Sequence, residues 1–314
     1  MYVKNNTVVN EFILLGFSNN PQTQIILFLL FTIVYLIILV GNFLIITVTL
    51  TDKNLQTPMY LFLTNLSFLD ICYSTSTVPR ILRDLMSTKK AISFGQCAAQ
   101  LYISLSLGET ECILLAVMGY DRYIAICYPL HYTAIFNRTT CIRIAAGTWI
   151  CGFLLSICHV ALTLNVDLCG NNKINHFVCE VPEILSLGCE NIILIEFVIF
   201  LVGVIILMIP ITFIIISYIR IIIAILKITS SAGQQKAFST CGSHMIVVTL
   251  FYGSAMAAYM KPHSKSLSDT NKIIAVFYFI ITPMLNPLIF TLRNKEVKTA
   301  LKKVRLKEIH CFQM

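Results

Sequence analysis

The stretch MGYDRYIAICYPLHY, residues 118–132, lies where a long apolar run meets a polar and basic segment. Residues 101–117, which precede it, carry no charge apart from two glutamates. Asp121 and Arg122 then follow in direct succession. Charged side chains at a membrane edge are energetically costly unless they are paired or serve a function. The pair therefore indicates a functional site at one end of a membrane helix.

The composition indicates an integral membrane protein. Of the 314 residues, 57% are hydrophobic and only 12% are charged, whereas soluble domains average about 25% charged residues. Seven of the 23 basic residues fall within positions 293–307, which predicts a cytoplasmic tail that contacts membrane lipid. Outside the apolar runs, no basic segment is interleaved with aromatic residues, so the pattern does not favour nucleic acid as a partner.

Seven apolar runs follow the polar first 24 residues, and each reaches the roughly 20 residues that a helix needs to cross hydrocarbon. The runs are Ile25–Leu50, Pro58–Leu82, Ala98–Ile124, Cys141–Leu164, Ile192–Leu226, Phe238–Met260 and Ile273–Leu292. An odd number of crossings places the chain ends on opposite sides, and the basic tail predicts an extracellular N-terminus. We expect an N-terminal segment at 1–24, a seven-helix domain at 25–292 and a tail at 293–314 that begins with a short amphipathic helix.

Several motifs carry a family resemblance that covers nearly the whole chain. They are Gly41-Asn42, PMYLFL at 58–63, LSFLD at 66–70, the opening stretch at 118–132, KAFSTCGSH at 236–244 and PMLNPLIFTLRN at 283–294. In this order they resemble the olfactory (odorant) receptors among the rhodopsin-like G-protein-coupled receptors. The resemblance implies an all-α seven-transmembrane bundle in the plasma membrane and no enzymatic activity. It also implies that a small volatile ligand activates a heterotrimeric stimulatory G protein and raises cAMP.

Asp121 and Arg122 have a defined role in that family. The resemblance implies that Arg122 is held in the resting receptor and contacts the G protein in the active one, with Tyr218 and His244 as its partners across the bundle. Adjacent helical residues point about 100° apart, so the two charges do not form an ideal helical ion pair. The alternative is an interfacial charge pair that only fixes the depth of the helix.

Two carboxylates fall in the middle of predicted spans. Asp70 and Glu111 would each cost at least ~2.5 kcal/mol there as lone charges, so they either share a proton or hold a cation. Asn42 and Asn286 can add polar contacts. The resemblance favours a sodium ion or water in this pocket, and the alternative is a protonated, hydrogen-bonded structural pair. We expect no other cofactor and no metal site.

Glu109 is the most individual residue of the chain. It precedes Glu111 by two positions, so the two side chains point about 200° apart on one helix. Leu105 and Gly108 share the face of Glu109 by their helical spacing, and the resemblance places that face on the ligand cavity. Glu109 therefore either orients a polar or cationic odorant, or is an acid kept neutral by desolvation and bonded to a neighbouring helix.

The rest of the ligand cavity follows from the resemblance. Its predicted residues are Val202 and Ile206 in the fifth run, Tyr252, Ala255 and Tyr259 in the sixth, and Phe279 in the seventh. This lining is mostly apolar with a few hydroxyls, as expected for a small ligand. Ordinary helix packing is the alternative for each of them.

Phe290 departs from the family pattern, which usually has tyrosine at this position of the seventh-span motif. A phenyl ring cannot donate a hydrogen bond. If the hydroxyl normally supports a water network in the active state, basal activity is expected to be altered in this chain, in a direction that the sequence does not define.

Four cysteines in polar or junction sequence indicate disulfides and an oxidising compartment. Four cysteines allow three connectivities, and the resemblance favours the pairs Cys97–Cys179 and Cys169–Cys189. Asn5 begins a glycosylation triplet, which matters only if the N-terminus is extracellular. Cys311 begins a C-terminal tetrapeptide of prenylation-like form, although Phe312 and Gln313 fit its aliphatic positions poorly.

Three other classes of protein fit the sequence less well. A transporter or channel needs a hydrophilic path and usually internal repeats, and neither is visible. An intramembrane enzyme needs a metal or nucleophile cluster in a wet cavity, for which Asp70 and Glu111 are the only candidates. A rhodopsin-like receptor for a peptide or amine is the nearest alternative, but the motifs carry the olfactory form.

Overall fold

Seven long helices make up the computed structural model, which describes residues 10–168, 172–189, 193–260, 268–293 and 296–302. The first six helices span Pro21–Thr51, Pro58–Leu85, Phe94–Cys127, Arg138–Leu164, Ile193–Leu226 and Ser231–Tyr259. The seventh consists of Ser268–Val276, a π-helical turn at Phe277–Ile281, and Thr282–Arg293. The predicted seven-helix bundle is therefore confirmed.

Six of the described helices are long and apolar enough to cross a membrane. The second helix has a comparable length of 28 residues, but it is more polar because it contains four charged residues. Three of these lie in its last two turns, where Arg80 and Asp84 form an ion pair of 2.7 Å. The charges therefore gather at the membrane edge, where water can solvate them.

Four helices, the first, third, fourth and sixth, begin earlier than their apolar runs because polar residues cap them. Asn20 accepts hydrogen bonds from the backbone N–H groups of Gln22 and Thr23, and Pro21 occupies the first turn. Ser230 caps the sixth helix in the same way, so this helix starts at Ser231 and not at the predicted Phe238. Such caps satisfy backbone N–H groups that the helix itself leaves unpaired.

A small sheet closes one end of the bundle, and the sequence patterns did not predict it. Its strands are β1 (Glu11–Leu14), β2 (Ala91–Ser93) and β3 (Lys173–Ile174). The strand order is β2-β1-β3, with β1 antiparallel to β2 and parallel to β3. The strands have four residues or fewer, which is too short for a clear alternating pattern. They tie the N-terminal segment to the loop after the fourth helix.

The opposite end of the bundle carries a short helix over residues 296–302. Val297 and Ala300 are buried against the bundle core. Tyr60, near the start of the second helix, donates a 2.7 Å hydrogen bond to Oε2 of Glu296. This segment agrees with the predicted amphipathic helix, whose apolar face packs under the bundle.

The third and fourth helices approach each other unusually closely at Gly152. A Cβ atom at this position would lie 2.1 Å from Oγ1 of Thr110 and 2.8 Å from its backbone nitrogen. One turn away, the hydroxyls of Ser106 and Ser156 are 2.6 Å apart. Small residues allow such close approach between membrane helices. This contact brings the fourth helix within reach of Glu109.

Candidate functional site: a ligand cavity and a cytoplasmic switch

An inner cavity of about 60 Å³ lies between the third, fifth, sixth and seventh helices. It is lined by Tyr73, Ser104, Leu105, Gly108, Glu109, Cys112, His159, Gly203, Ile206, Leu207, Phe251, Ala255, Tyr259 and Tyr278. Six of the nine residues predicted to bind ligand are in this set. They are Leu105, Gly108, Glu109, Ile206, Ala255 and Tyr259.

The other three predicted ligand residues are not part of this lining. Gly203 takes the place of Val202 on the fifth helix. Tyr252 donates a 2.9 Å hydrogen bond to the Cys112 carbonyl and is buried in helix packing. Phe279 packs on Tyr73 with ring centroids 5.0 Å apart.

The π-helical turn Phe277–Ile281 explains why Tyr278, and not the predicted Phe279, lines the cavity at the seventh helix. A π turn inserts one extra residue and so rotates the side chains that follow it. Tyr278 consequently faces the cavity in place of Phe279. Simple helical spacing cannot reveal this, because the turn breaks the 3.6-residue period.

His159 contacts Glu109 at the inner cavity, and the sequence patterns did not predict this residue as part of the site. Its Nδ1 lies 3.0 Å from Oε1 of Glu109, and its Nε2 lies 3.4 Å from the Ile199 carbonyl oxygen. Both side chains are buried, with relative exposures of 4% for His159 and 5% for Glu109. A histidine within an otherwise apolar span is itself a signal of function, but its partner cannot be read from the sequence.

The two predicted roles of Glu109, contact with a ligand and a bond to a neighbouring helix, each correspond to part of its environment. Oε1 is bonded to the neighbouring fourth helix through His159. Oε2 is buried and has no hydrogen-bond partner within the described residues, and Glu109 lines the inner cavity. Ser104, on the same helix, also lines the inner cavity, and its Oγ is likewise buried without a hydrogen-bond partner among the described residues.

A second, larger cavity of about 390 Å³ lies beside the loop that follows the fourth helix. His159, Gly203 and Tyr259 line both cavities. The other described walls come from the loop after the fourth helix and the facing ends of the fifth and sixth helices. The polar Glu109–His159 pair therefore stands at the junction of the two spaces.

The loop after the fourth helix is fixed over the bundle by the disulfide Cys97–Cys179, which the resemblance implied. The next residue, Glu180, accepts a 2.5 Å hydrogen bond from the Tyr278 hydroxyl. Burial raises the pKa of the Glu180 carboxyl to about 8, against the lowering effect of the Tyr278 hydrogen bond. The loop thereby contacts a residue that lines the inner cavity.

His176 lies in the same loop, with Nε2 3.9 Å from Oε2 of Glu180. Burial lowers the pKa of His176 to about 3, and the charge of Lys272 acts in the same direction. His176 is therefore neutral at physiological pH, and it accepts a hydrogen bond from the backbone N–H of Val178 at its Nδ1.

The predicted polar network lies below the cavity. Nδ2 of Asn286 is 3.0 Å from each carboxylate oxygen of Asp70. Nδ2 of Asn42 donates to the carbonyls of Ile38 and Pro283, so it braces the seventh helix. Both oxygens of Glu111 are buried without a hydrogen-bond partner in the described part of the chain, and Glu111 interacts electrostatically with Asp70.

The third, fifth and sixth helices are joined through His244. The Tyr218 hydroxyl lies 2.8 Å from His244 Nδ1, and His244 Nε2 lies 3.1 Å from the Leu115 carbonyl oxygen. The carbonyl can only accept, so Nε2 carries the hydrogen and the tyrosine donates to Nδ1. These bonds hold the sixth helix against its neighbours.

Asp121 and Arg122 interact electrostatically but form no hydrogen bond or close ion pair with each other. Asp121 accepts a 2.8 Å hydrogen bond from Tyr132, in a short loop helix at Tyr132–Ile135. Arg122 is half-buried and makes no hydrogen bond or ion pair with any described residue. It lies close enough to His244 and Tyr218 to influence them electrostatically. Tyr132 was not expected as a partner, although it closes the opening stretch MGYDRYIAICYPLHY.

Phe290 is buried in the hydrophobic core near these residues. Its ring fills an apolar environment, so a hydroxyl introduced here would need a polar partner.

Some predicted features lie outside the described residues. These are Asn5, Cys169 and Cys311. Cys189 is disulfide-bonded, and its backbone N–H donates to the Asp167 carbonyl at 3.0 Å, which brings it near the segment that precedes Cys169. Within the described residues there is no group of three or more metal-ligating side chains.

Comparison with known proteins agrees with the seven-helix bundle. The family profile described as olfactory receptor matches residues 31–308. Olfactory receptor 2B2 of Homo sapiens is 50% identical over 305 residues, which cover 97% of this chain and 85% of that protein. Olfactory receptor 13D1 of Homo sapiens is 48% identical over 314 residues, with coverages of 100% and 91%.

A relative from a second species gives the same result. Olfactory receptor 2B6 of Mus musculus is 49% identical over 300 residues, which cover 96% of each chain. The chain therefore belongs to the olfactory receptor family. It is a multi-pass membrane protein of the odorant-sensing G-protein-coupled class, and this class is not enzymatic.

Proposed function

We propose that this receptor binds a small volatile ligand at the inner cavity and that binding activates a heterotrimeric stimulatory G protein, which raises cAMP. The single observation that carries the ligand site is the buried Glu109–His159 pair beside a cavity with otherwise mostly apolar walls. Buried polar groups at an apolar cavity are the usual means of orienting a small ligand.

Ligand binding would reach the G protein through a shift between two states of the bundle. The third helix carries Glu109 near its middle and Arg122 close to its last turn. Outward movement of the sixth helix must break the bonds of His244 to Tyr218 and Leu115. That movement would uncover Arg122 for the G protein.

A panel of odorants, measured by cAMP in cells, tests the proposal. We expect a subset of ligands to raise cAMP in cells with wild-type receptor and none to do so with Arg122→Ala at equal surface expression. A ligand response of equal size in the Arg122→Ala receptor would contradict the coupling role.

We also propose that Asp70 and Glu111 hold a sodium ion in the resting state. The Glu111 carboxylate and the side-chain oxygens of Asn42 and Asn286 are buried without hydrogen-bond partners in the described residues. Oxygen atoms are the ligands that hard cations prefer. The donor set therefore fits a cation, which would offset the negative charge of the two acids.

The sodium proposal predicts that sodium chloride raises the melting temperature of the purified receptor more than choline chloride does. Glu111→Gln should abolish the difference between the two salts. Glu109→Gln is the matched control, because it removes an acid two positions away that faces a different helix. An equal effect of sodium on both variants would exclude this site.

We further propose that the N-terminus is extracellular and that the basic tail contacts lipid of the cytoplasmic leaflet. The Cys97–Cys179 disulfide supports an oxidising compartment at the loop end of the bundle. The helix at residues 296–302, at the opposite end, precedes the remaining basic residues. Antibody labelling of an N-terminal epitope in intact cells tests the orientation, and labelling only after permeabilisation would reverse it.

A further inference from the structure

From the hydrogen-bond geometry at Glu109 and His159, we infer that the ligand of this receptor is a small apolar alcohol. Its hydroxyl donates a hydrogen bond to Oε2 of Glu109. This inference rests on the proposed function, because it names the chemical class that the proposed cavity accepts.

The tautomer of His159 follows from the contact that its Nε2 makes. Its Nε2 faces the Ile199 carbonyl oxygen at 3.4 Å. A carbonyl oxygen can only accept, so Nε2 carries a hydrogen. Nδ1, at 3.0 Å from Oε1 of Glu109, then has two arrangements: a histidinium donates to a carboxylate, or a neutral imidazole accepts from a protonated Oε1.

In both arrangements the shared proton lies between Nδ1 and Oε1, and Oε2 carries no hydrogen. Protonation of Oε2 as well would leave a net positive charge in a cavity with few other polar groups, which is unfavourable. Oε2 is therefore an acceptor only. It is buried, lines the cavity through Glu109 and has no partner within the described residues, so a ligand that supplies a donor satisfies it.

This requirement separates the common classes of volatile molecule. Aldehydes, ketones, esters and ethers have no hydrogen to donate, and a carboxylate would repel Oε2. An ammonium ion would have to be desolvated beside a pair that is already neutral overall. If the pair lost its proton to compensate, Nδ1 and Oε1 would be two acceptors facing each other at 3.0 Å.

A hydroxyl group meets the requirement without a net charge. Ser104 also lines the cavity, and its hydroxyl has no hydrogen-bond partner among the described residues, so it can donate to the oxygen of the ligand. The remaining walls include Leu105, Ile206, Leu207 and Phe251, which suit an apolar carbon skeleton.

The test compares ligands that share one carbon skeleton: the alcohol, its methyl ether, the aldehyde and the primary amine, for several straight-chain and cyclic skeletons. Two readouts are taken on the full-length receptor, namely cAMP in cells and the ligand-induced rise in melting temperature of purified protein. We expect the best alcohol to be about tenfold more potent than its ether and aldehyde, the effect of one hydrogen bond to a buried acceptor.

Two variants distinguish the role of Glu109 Oε2 as a hydrogen-bond acceptor from the role of the carboxylate's negative charge. Glu109→Leu should remove the preference for alcohol over ether. Glu109→Gln should retain most of it, because the amide N–H can donate to Nδ1 of neutral His159 and leave the amide oxygen facing the cavity. If Glu109→Leu does not reach the cell surface, the alcohol-to-ether ratio in the wild type still decides the question.

The outcomes distinguish this inference from the proposed function. Alcohol-selective stabilisation without a cAMP response would support the ligand class and reject the coupling. Ethers or aldehydes equal to alcohols in potency would overturn the ligand class while the proposed function stands. An amine preferred over the alcohol, or no stabilisation by any alcohol, would also overturn it.

Discussion

The rings of Tyr218 and His244 are nearly parallel, with an interplanar angle of 9° and centroids 5.7 Å apart, and the tyrosine hydroxyl lies 2.8 Å from Nδ1. His244 is also bonded to the third helix through the Leu115 carbonyl. One side chain of the sixth helix is therefore bonded to both the third and the fifth helix. This is the contact that an outward movement of the sixth helix must break.

His244→Phe should raise basal cAMP, because it keeps a ring for stacking and removes both hydrogen bonds. At about 1 kcal/mol for a typical bond, the population of the active state should rise several-fold. Basal cAMP normalised to surface expression measures this. Ser243→Ala is the control, because its hydroxyl bonds only within its own helix among the described residues, to Ser239. Unchanged or lower basal activity in His244→Phe would show that the contact does not restrain activation.

Gly152→Ala should destabilise the receptor by about 1–3 kcal/mol, the usual cost of overpacking. The new Cβ would lie 2.1 Å from Thr110 Oγ1 and under 3 Å from its backbone, so the third and fourth helices must separate. The melting temperature in detergent measures the effect. Gly147→Ala, in the same helix, is the control, because its Cβ would meet no described atom within 4 Å. Equal melting temperatures for the two variants would contradict the close approach.

Cys179→Ser should lower surface expression and the melting temperature, because it opens the Cys97–Cys179 bridge across 82 residues of sequence. Loss of a native disulfide typically costs about 2–5 kcal/mol. Cys158→Ser is the matched control, because Cys158 is free and exposed on the bundle. A melting temperature equal to that of the control would indicate that the bridge contributes little to stability.

The stability of the wild-type receptor should decrease as the pH rises from 6.5 towards 8. The pKa of Glu180 is raised from 4.5 to about 8 in the folded state, so in this range the folded receptor retains a proton that the unfolded chain has lost, and stability falls with pH. His176 acts in the opposite sense only below its ordinary value of 6.5. The difference in slope between the wild type and Glu180→Gln therefore measures the contribution of Glu180.

Melting temperatures across this interval measure the effect, and Glu180→Gln should flatten the profile because an amide does not titrate. The Tyr278 hydroxyl can still donate to the amide oxygen, so the loop contact is retained. A slope that persists unchanged in Glu180→Gln would assign the pH dependence to another group.

The sequence predicted the elements that depend on local composition. Seven apolar runs gave seven helices because each run alone is long enough to cross a membrane. The opposite directions of Glu109 and Glu111 also followed from helical periodicity, and the structure directs them to different neighbours, His159 and Asp70.

Only the tertiary structure decided which helix faces met. The Glu109–His159 pair exists because Gly152 lets the fourth helix approach Thr110, and nothing local to either residue records that distance. The π turn placed Tyr278 and not Phe279 at the cavity, and Asp121 forms its hydrogen bond with Tyr132 and not with Arg122. Periodicity fixes the angle of a side chain on its own helix. The rotation and spacing of neighbouring helices depend on contacts between residues distant in sequence.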